Sequence, residues 1–416
     1  GSGDTQVEVP DNSSYSEDNL LKWMEISIVE PEKRTGKYMN IPETFMVYLI
    51  ETKVTDPTKP GHGEVTSIWR RYSEFELLRN YLDIMYPPVV VPPLPEKRVS
   101  HVWQKLPSDK FDPDFIERRR QGLENFLLRT AAHSILCKDE LFTAFLNQDE
   151  GWKEKIYATG YQNKADSKIK ALSAAYRLKK PDKRFEEFKA YSNELQTHIH
   201  NILRIRAKMA DQEFGVHRIH ANYGRVFSEW SGLEKEMGDG LQSAGHFMDS
   251  YSSCIDGILE DEESFADQLK EYYAFGDALR SVCRKQELVQ LKLEQCEDAL
   301  SYKAAQKELL NQGKSTGGFS FSGMKSKLFG GDTPQQRQEK IEKLEKEIEE
   351  QENELRAVSA DAQKFVEDAL NDIDRFQRQK VKDLKEILTN YAIVQIEKCK
   401  KGKAIWQNTK ECFEKM

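Results

Sequence analysis

Residues 69–75 decide the fold of the first part of the chain, and they read Trp69-Arg70-Arg71-Tyr72-Ser73-Glu74-Phe75. The residues before them alternate between apolar and polar, which predicts a β-strand. The residues after them carry an apolar stripe at helical spacing, formed by Phe75, Leu77, Leu78, Tyr81, Leu82 and Met85. The sequence therefore places two guanidinium groups and an aromatic ring at a strand-to-helix junction.

An arginine fork binds phosphate oxygens through two parallel hydrogen bonds, and a neighbouring ring offers an apolar face to a sugar-like ring. The alternative is a solvated strand end with a tyrosine in the core. Taken alone, the junction leaves both interpretations open.

Two later stretches favour the binding interpretation. The segment Val89–Arg98 is rich in proline, which predicts an extended loop, and it ends in two cations, Lys97 and Arg98. The segment Phe115–Phe126 is an amphipathic helix with three consecutive arginines, residues 118–120. At most one of three adjacent helical residues can face a pocket on the core side.

This order of strand, helix, proline-rich loop and arginine-bearing helix resembles the PX (phox-homology) domain over about residues 22–150. The resemblance implies a pocket for phosphatidylinositol 3-phosphate. Arg71 would hold the 3-phosphate and Tyr72 would stack under the inositol ring. Lys97 would take the 1-phosphate and Arg119 would bond the 4- and 5-hydroxyls, whereas Arg70 would have a secondary or structural role.

The remaining pattern predicts an α+β unit over residues 21–150 with a three-stranded antiparallel sheet. Strands are expected over Leu21–Glu30, over Phe45–Val54 and up to the opening motif, and helices over 73–86, about 113–132 and about 138–148. Residues 1–20 are polar and acidic, and they are predicted to be a disordered lead.

Residues 151–182 are predicted to be a connector that contains a basic amphipathic helix. Such a helix can lie in the lipid headgroup plane, or its apolar stripe can pack on a neighbouring domain. The membrane-contact candidates are Lys168, Ile169, Lys170, Leu172 and Tyr176.

From residue 183 onward, apolar residues recur at three- and four-residue steps in three runs, which predicts helices over about 183–238, 241–312 and 335–412. The third run is close to a heptad repeat. Nine cations are candidates for a basic surface: Arg204, Arg206, Lys208, Arg218, Arg225, Arg280, Arg284, Lys285 and Lys292. The stretch 313–334 is rich in glycine. Its composition favours a linker, and its phenylalanines allow a membrane-inserting loop as the alternative.

Three long helices after a PX-like unit resemble the BAR domain of the PX-BAR sorting nexins. The resemblance implies an all-α, antiparallel, dimeric coiled-coil bundle over residues 183–416, formed by a homodimer or by a heterodimer with a related sorting nexin. It also implies a place on early or recycling endosome membranes, in sorting, recycling and autophagy.

Composition excludes several other classes of protein. A net charge of −8 argues against general nucleic-acid binding. The six cysteines are scattered without a CxxC pair, so neither a metal site nor a disulfide framework is predicted. No catalytic residues, cofactor motif or membrane-spanning run stands out in the sequence.

The sequence thus favours a non-enzymatic protein that binds membranes from the cytoplasm and senses or generates curvature. The alternative is a lipid-independent coiled-coil scaffold for protein partners.

Overall fold

The computed structural model describes residues 19–38, 41–97, 111–164, 177–312 and 333–416. The predicted disordered lead, apart from its last two residues, lies outside this part of the chain. We call residues 19–164 the N-terminal unit and the three long helices that follow the bundle.

The N-terminal unit is built on an antiparallel sheet in the order β1-β2-β3. Its strands are β1 (Met24–Tyr38), β2 (Ile41–Val54) and β3 (Val65–Arg71). Strand β1 begins after the predicted Leu21 and continues past the predicted Glu30, and β2 begins before the predicted Phe45 and ends at Val54 as predicted. The two strands pair along their whole length, with an irregularity between Ile28 and Glu30. The three-stranded sheet predicted from the sequence is confirmed.

Residues 161–164 of this unit are helical, and four α-helices precede them in the described part of the chain. The four helices are α1 (Tyr72–Met85), α2 (Pro113–Ala132), α3 (Glu140–Asn147) and α4 (Trp152–Ala158). Short 3-10 turns lie at Leu20–Lys22 and Leu136–Lys138. Helix α1 starts directly after β3, as the opening motif predicted, and the backbone N–H of Arg71 donates to Glu74 Oε2 at 2.6 Å.

Aromatic side chains pack at the centre of the N-terminal unit. The ring of Phe145 meets the edges of Phe75 and Trp152 at centroid distances of 5.0 Å in both cases. Trp152, Ile156 and Tyr161 belong to this core. The first part of the segment predicted as a connector therefore packs into the N-terminal unit.

The bundle consists of α5 (Lys183–Ser231), α6 (Gly238–Asn311) and α7 (Pro334–Glu414). Ion pairs between Lys189 and Glu287 and between Arg206 and Glu263 show that α5 runs antiparallel to α6. Helix α6 has 74 residues, so it is about 110 Å long at 1.5 Å per residue. It extends past α5 and pairs there with α7, where Lys307 lies 2.9 Å from Glu345.

The first bundle helix ends at Ser231, before the predicted residue 238, although the apolar spacing continues. Leu233 of the continued pattern is 84% exposed, so spacing alone did not mark the helix end. Gly240, which falls between the first two predicted helices, lies in the first turn of α6. A Cβ at Gly240 would lie 2.5 Å from the Met416 side chain, so glycine permits the two helix ends to approach.

The prediction of a surface position is wrong for two of the candidate cations, because both side chains are buried. Lys285 is 4% exposed and its Nζ lies 2.8 Å from Asp83 Oδ1 of the N-terminal unit. Arg206 is also buried and pairs with Glu263. Both side chains hold elements together and are not part of a basic outer surface.

A buried polar clamp joins the two parts of the molecule. Asp372 of α7 accepts hydrogen bonds from the backbone N–H of Val90 (2.7 Å) and from Nε2 of His133 (2.8 Å). His133 Nδ1 accepts from the backbone N–H groups of Ile135 and Leu136, so Nε2 carries the proton. Burial alone would raise the pKa of Asp372, but the His133 hydrogen bond and the Arg375 charge lower it to about 2.

The sign of this shift predicts a pH dependence. A lowered pKa in the folded state stabilises the fold above the unfolded value of about 4, and the contribution disappears as the pH falls towards 2. We expect Asp372→Asn to lower the free energy of unfolding at neutral pH by about 3 kcal/mol and to remove this acid dependence. Asp374→Asn, an exposed neighbour paired with Arg378, is the control. Equal shifts in denaturation midpoint for both variants would contradict the clamp.

A second prediction concerns the close packing of the proline-rich loop on α2. A Cβ at Gly122 would lie 2.6 Å from Pro95 Cβ, and the proline ring cannot rotate away. Alanine normally stabilises a helix interior by about 1 kcal/mol relative to glycine. We expect Gly122→Ala to lower the Tm, because the loop must move, whereas Gly215→Ala in α5, with nothing within 4 Å, should raise it. Parallel thermal denaturation of the two variants tests the difference.

Candidate functional site

The opening motif sends its two arginines to opposite faces of the sheet, because successive residues of a strand alternate. Arg70 is 1% exposed, and its Nε and Nη2 donate to the Phe145 carbonyl at 3.1 and 2.9 Å. It also lies 3.7 Å from Glu74. Arg70 therefore ties β3 to α3 and is not available to a ligand.

Arg71 lies at the exposed face of the junction. Its guanidinium carbon stands 3.7 Å from the centroid of the Phe45 ring, and its Nη2 lies 3.2 Å from Glu43 Oε2. The Phe45 ring, which belongs to β2, supports the flat guanidinium of Arg71 by cation–π attraction. The fork is thus held at the surface with a carboxylate as its present partner.

Tyr72, the first residue of α1, forms the centre of the site. Its hydroxyl donates to the Pro95 carbonyl at 2.5 Å, which fixes the ring against the proline-rich loop. Burial is the largest cause of a raised pKa at this hydroxyl, so the phenol stays protonated. Lys97 Nζ and the Arg119 guanidinium carbon lie 5.8 and 5.2 Å from the ring centroid.

Arg119 is the inner cation, and it is only 8% exposed. It lies over the Phe115 ring at 4.4 Å, and its Nη2 donates to the Lys97 carbonyl at 2.5 Å. Its neighbours pair with carboxylates, Arg118 with Asp267 and Arg120 with Glu117 and Glu124. Within the described part of the chain, no carboxylate forms an ion pair with Arg119.

An unpaired buried cation is costly in free energy unless something compensates it. Arg119 Nε also has no hydrogen-bond partner among the described residues. The same helix thus turns one arginine of three towards the site, in agreement with the helical geometry. The charge and the free donor together fit an anionic or polyhydroxylated ligand.

Tyr48 of β2 was missed in the sequence, where it sits in an ordinary strand pattern. It is fully buried, and no described group bonds its hydroxyl. Burial raises the pKa of Tyr48, while the charge of Arg119 and a hydrogen-bonding interaction with its side chain act in the opposite direction. The two side chains therefore lie together, although the geometry falls short of a well-formed hydrogen bond. No sequence signal distinguished this tyrosine from its core neighbours.

Lys97 ends the described part of the proline-rich loop and is exposed. Its Nζ lies 2.7 Å from Glu76 Oε2 of α1. Arg98, the second cation predicted at this loop end, lies outside the described residues. Three of the four predicted binding residues, Tyr72, Lys97 and Arg119, therefore contact one another, and Arg71, the last residue of β3, directly precedes Tyr72 in the chain.

The site borders the bundle. A cavity of about 570 Å³ opens between α2 and α6, and it is lined by Arg119, Phe115 and Pro95 on one side and by Asp267, Glu271 and Tyr273 on the other. Arg119 therefore faces both the tyrosine ring and the gap between the two parts of the molecule.

Several predicted features fall outside the described residues. These are the membrane-contact candidates Lys168, Ile169, Lys170, Leu172 and Tyr176, and residues 313–332 of the glycine-rich stretch. Among the described residues, no cluster of His, Cys, Asp and Glu has the form of a metal site. No helix in that same part is long and apolar enough to span a membrane.

Comparison with known proteins places these features in a family. Residues 59–149 match the model of the PX domain. The chain is 56% identical to Sorting nexin-4 of Bos taurus over 411 residues, which covers 98% of this chain and 91% of that protein. Against Sorting nexin-4 of Homo sapiens the identity is also 56%, over 95% and 88% of the two chains.

The fold has a solved counterpart. The structure of the SNX-BAR Mvp1 tetramer, determined by cryo-electron microscopy, superposes with a TM-score of 0.59 at 18% identity, covering 92% of this chain and 99% of that one. This likeness concerns the arrangement of the elements, an N-terminal unit with a three-stranded sheet followed by long helices. The chain belongs to the sorting nexin family, in the group that joins a PX domain to a BAR domain.

Proposed function

We propose that this protein binds phosphatidylinositol 3-phosphate through the N-terminal unit and associates with curved membranes through a dimeric bundle. The PX domain would span residues 21–150, the connector 151–182 and the BAR domain 183–416. The observation that carries the proposal is Arg119, a buried cation that no carboxylate pairs with among the described residues. A headgroup whose oxygen atoms accept hydrogen bonds from this guanidinium supplies the partners that it lacks.

Each binding residue has a chemical role in this proposal. The fork of Arg71 takes the 3-phosphate, and Lys97 at the loop end takes the 1-phosphate as a point charge. The Tyr72 ring stacks under the inositol, and Arg119 donates to the 4- and 5-hydroxyls. A hydrogen bond to a charged group contributes about 1.5–3 kcal/mol, so one headgroup gives modest affinity.

A second copy of the pocket would raise this affinity by effective concentration. The exposed face of α5 supports such a dimer. Its apolar side chains, between 39% and 56% exposed, recur at steps of three, four and seven: Ile202, Ile205, Met209, Val216, Ile219, Tyr223, Val226 and Trp230. This spacing is the seam of a coiled coil, and isolated exposed apolar residues do not produce it.

Helix α7 carries exposed apolar residues in the same half of the bundle: Val381, Leu388, Ile393, Ile396, Trp406 and Phe413. In this proposal the α5 seam packs against the matching seam of a second molecule, which is either another copy of this chain or a related sorting nexin. Family membership supports a place on endosomal membranes, in sorting, recycling and autophagy, as part of the same proposal.

The lipid pocket is tested with the full chain and sedimenting phosphatidylcholine vesicles, with and without phosphatidylinositol 3-phosphate. We expect Arg71→Ala and Arg119→Met to weaken lipid-dependent pelleting about tenfold or more. Arg119→Met keeps the packing of the stem and removes an unpaired buried charge, so its Tm should not fall. Lys155→Ala, which removes a charge from the same unit, is the control.

Unchanged pelleting of Arg71→Ala and Arg119→Met would reject the pocket. Lipid-independent binding of protein partners by both variants would then favour the scaffold function instead.

The dimer is tested by light scattering of the full chain. Ile219→Asp places a charge in the middle of the α5 seam, and we expect the measured mass to fall from that of a dimer to that of a monomer, about half. Tyr302→Asp changes an equally exposed residue where α6 extends past α5, and it should leave the mass unchanged. A wild-type chain that is monomeric at micromolar concentration would refute the proposed dimer.

A further inference from the structure

The two exposed cations of the lipid site each hold a carboxylate. Arg71 Nη2 lies 3.2 Å from Glu43 Oε2, and Lys97 Nζ lies 2.7 Å from Glu76 Oε2. Arg119, deeper in the site, has no such partner within the described residues. The carboxylates therefore pair only with Arg71 and Lys97, which bind the two phosphates in the proposed function.

The positions of both acids follow from the local structure. Glu43 lies near the start of β2, two residues from Phe45, whose ring supports Arg71. Glu76 lies one helical turn after Tyr72 on α1, and residues four apart share a helix face. Each acid is thus placed by a regular element beside the cation it holds.

Both ion pairs are open to solvent. The side chains are 37% and 49% exposed in the Arg71–Glu43 pair, and 60% and 35% exposed in the Lys97–Glu76 pair. Exposed pairs contribute little to stability, so an anionic ligand can displace the carboxylates without unfolding their elements. After displacement, the acids remain at the rim as negative charges.

The charge balance of the site is then small. Three cations (Arg71, Lys97 and Arg119) and two carboxylates (Glu43 and Glu76) leave a formal charge of +1. A headgroup with one phosphomonoester and one phosphodiester already exceeds this charge. Every additional phosphomonoester brings about −1.5 to −2 at neutral pH. In the proposed pose a phosphate at the 4- or 5-position lies beside Arg119, and the two rim carboxylates repel it at longer range.

We propose that Glu43 and Glu76 determine specificity, because they compete with phosphate for Arg71 and Lys97 and repel headgroups that carry more than one phosphomonoester. This inference rests on the proposed lipid pocket and adds a repulsive element to it. Discrimination between related ligands often needs such repulsion as well as attraction.

The test uses the full chain and phosphatidylcholine vesicles that contain equal mole fractions of either phosphatidylinositol 3-phosphate or the 3,5-bisphosphate. Glu43→Gln, Glu76→Gln and the double variant remove charge and keep side-chain size. We expect binding to the monophosphate to tighten about twofold to fivefold. Binding to the bisphosphate should tighten more, so that the preference of the wild type for the monophosphate narrows. The difference should shrink at high salt.

Glu25→Gln is the matched control, because Glu25 is exposed on β1 and pairs with Lys53 across the ladder, far along β2 from Glu43. Weaker binding of the double variant would mean that the acids position the cations, and would overturn the inference. Unchanged affinity and an unchanged preference would overturn it too. In both of these cases the wild type still binds, so the proposed function stands. A wild type that ignores both lipids would remove the proposed function and this inference together.

Discussion

The structure depends on one buried carboxylate. Asp372 accepts hydrogen bonds from a backbone N–H of the proline-rich loop, from His133 at the end of α2 and from Arg375 on its own helix. A buried carboxylate with this many donors is stable only in its charged form, which its pKa of about 2 reflects. Removal of any donor would leave a desolvated charge short of partners, so loop, helix and bundle are positioned together.

The proline-rich loop, which donates a hydrogen bond to this carboxylate, contributes side chains to two hydrophobic cores. In an extended segment alternate side chains point to opposite sides. Val89 and Val91 pack in the core of the N-terminal unit, and Val90 packs in the core of the bundle. Farther along the same loop, the carbonyls of Pro95 and Lys97 accept from Tyr72 and Arg119. The proposed lipid site is therefore built on a segment whose other end is fixed inside the bundle.

Local patterns predicted the parts of the molecule whose cause is local. The β3–α1 junction follows from residues 65–75. Helical geometry predicted that at most one of the three arginines faces the pocket, and the resemblance to PX domains pointed to Arg119. The clamp could not be predicted, because Val90 and Asp372 are 282 positions apart and no pattern in either stretch indicates that they contact each other. For the same reason the burial of Lys285 was not predicted, because its partner Asp83 belongs to another part of the chain. The role of Tyr48 was not predicted either, because it depends on the neighbouring Arg119.

Helix α2 links the proposed lipid site to the orientation of the bundle. Arg118 pairs with Asp267 at 3.4 Å, and Arg129 lies 2.6 Å from Glu271 and 2.8 Å from Asp383. Between these two anchors the helix presents Arg119 to Tyr72. A rotation of α2 that moved Arg119 away from the ring would also break ion pairs with α6 and α7. In the proposed dimer, the seam on α5 would therefore set the direction in which both pockets face, because one rigid helix carries the lipid-binding arginine and the contacts to the bundle.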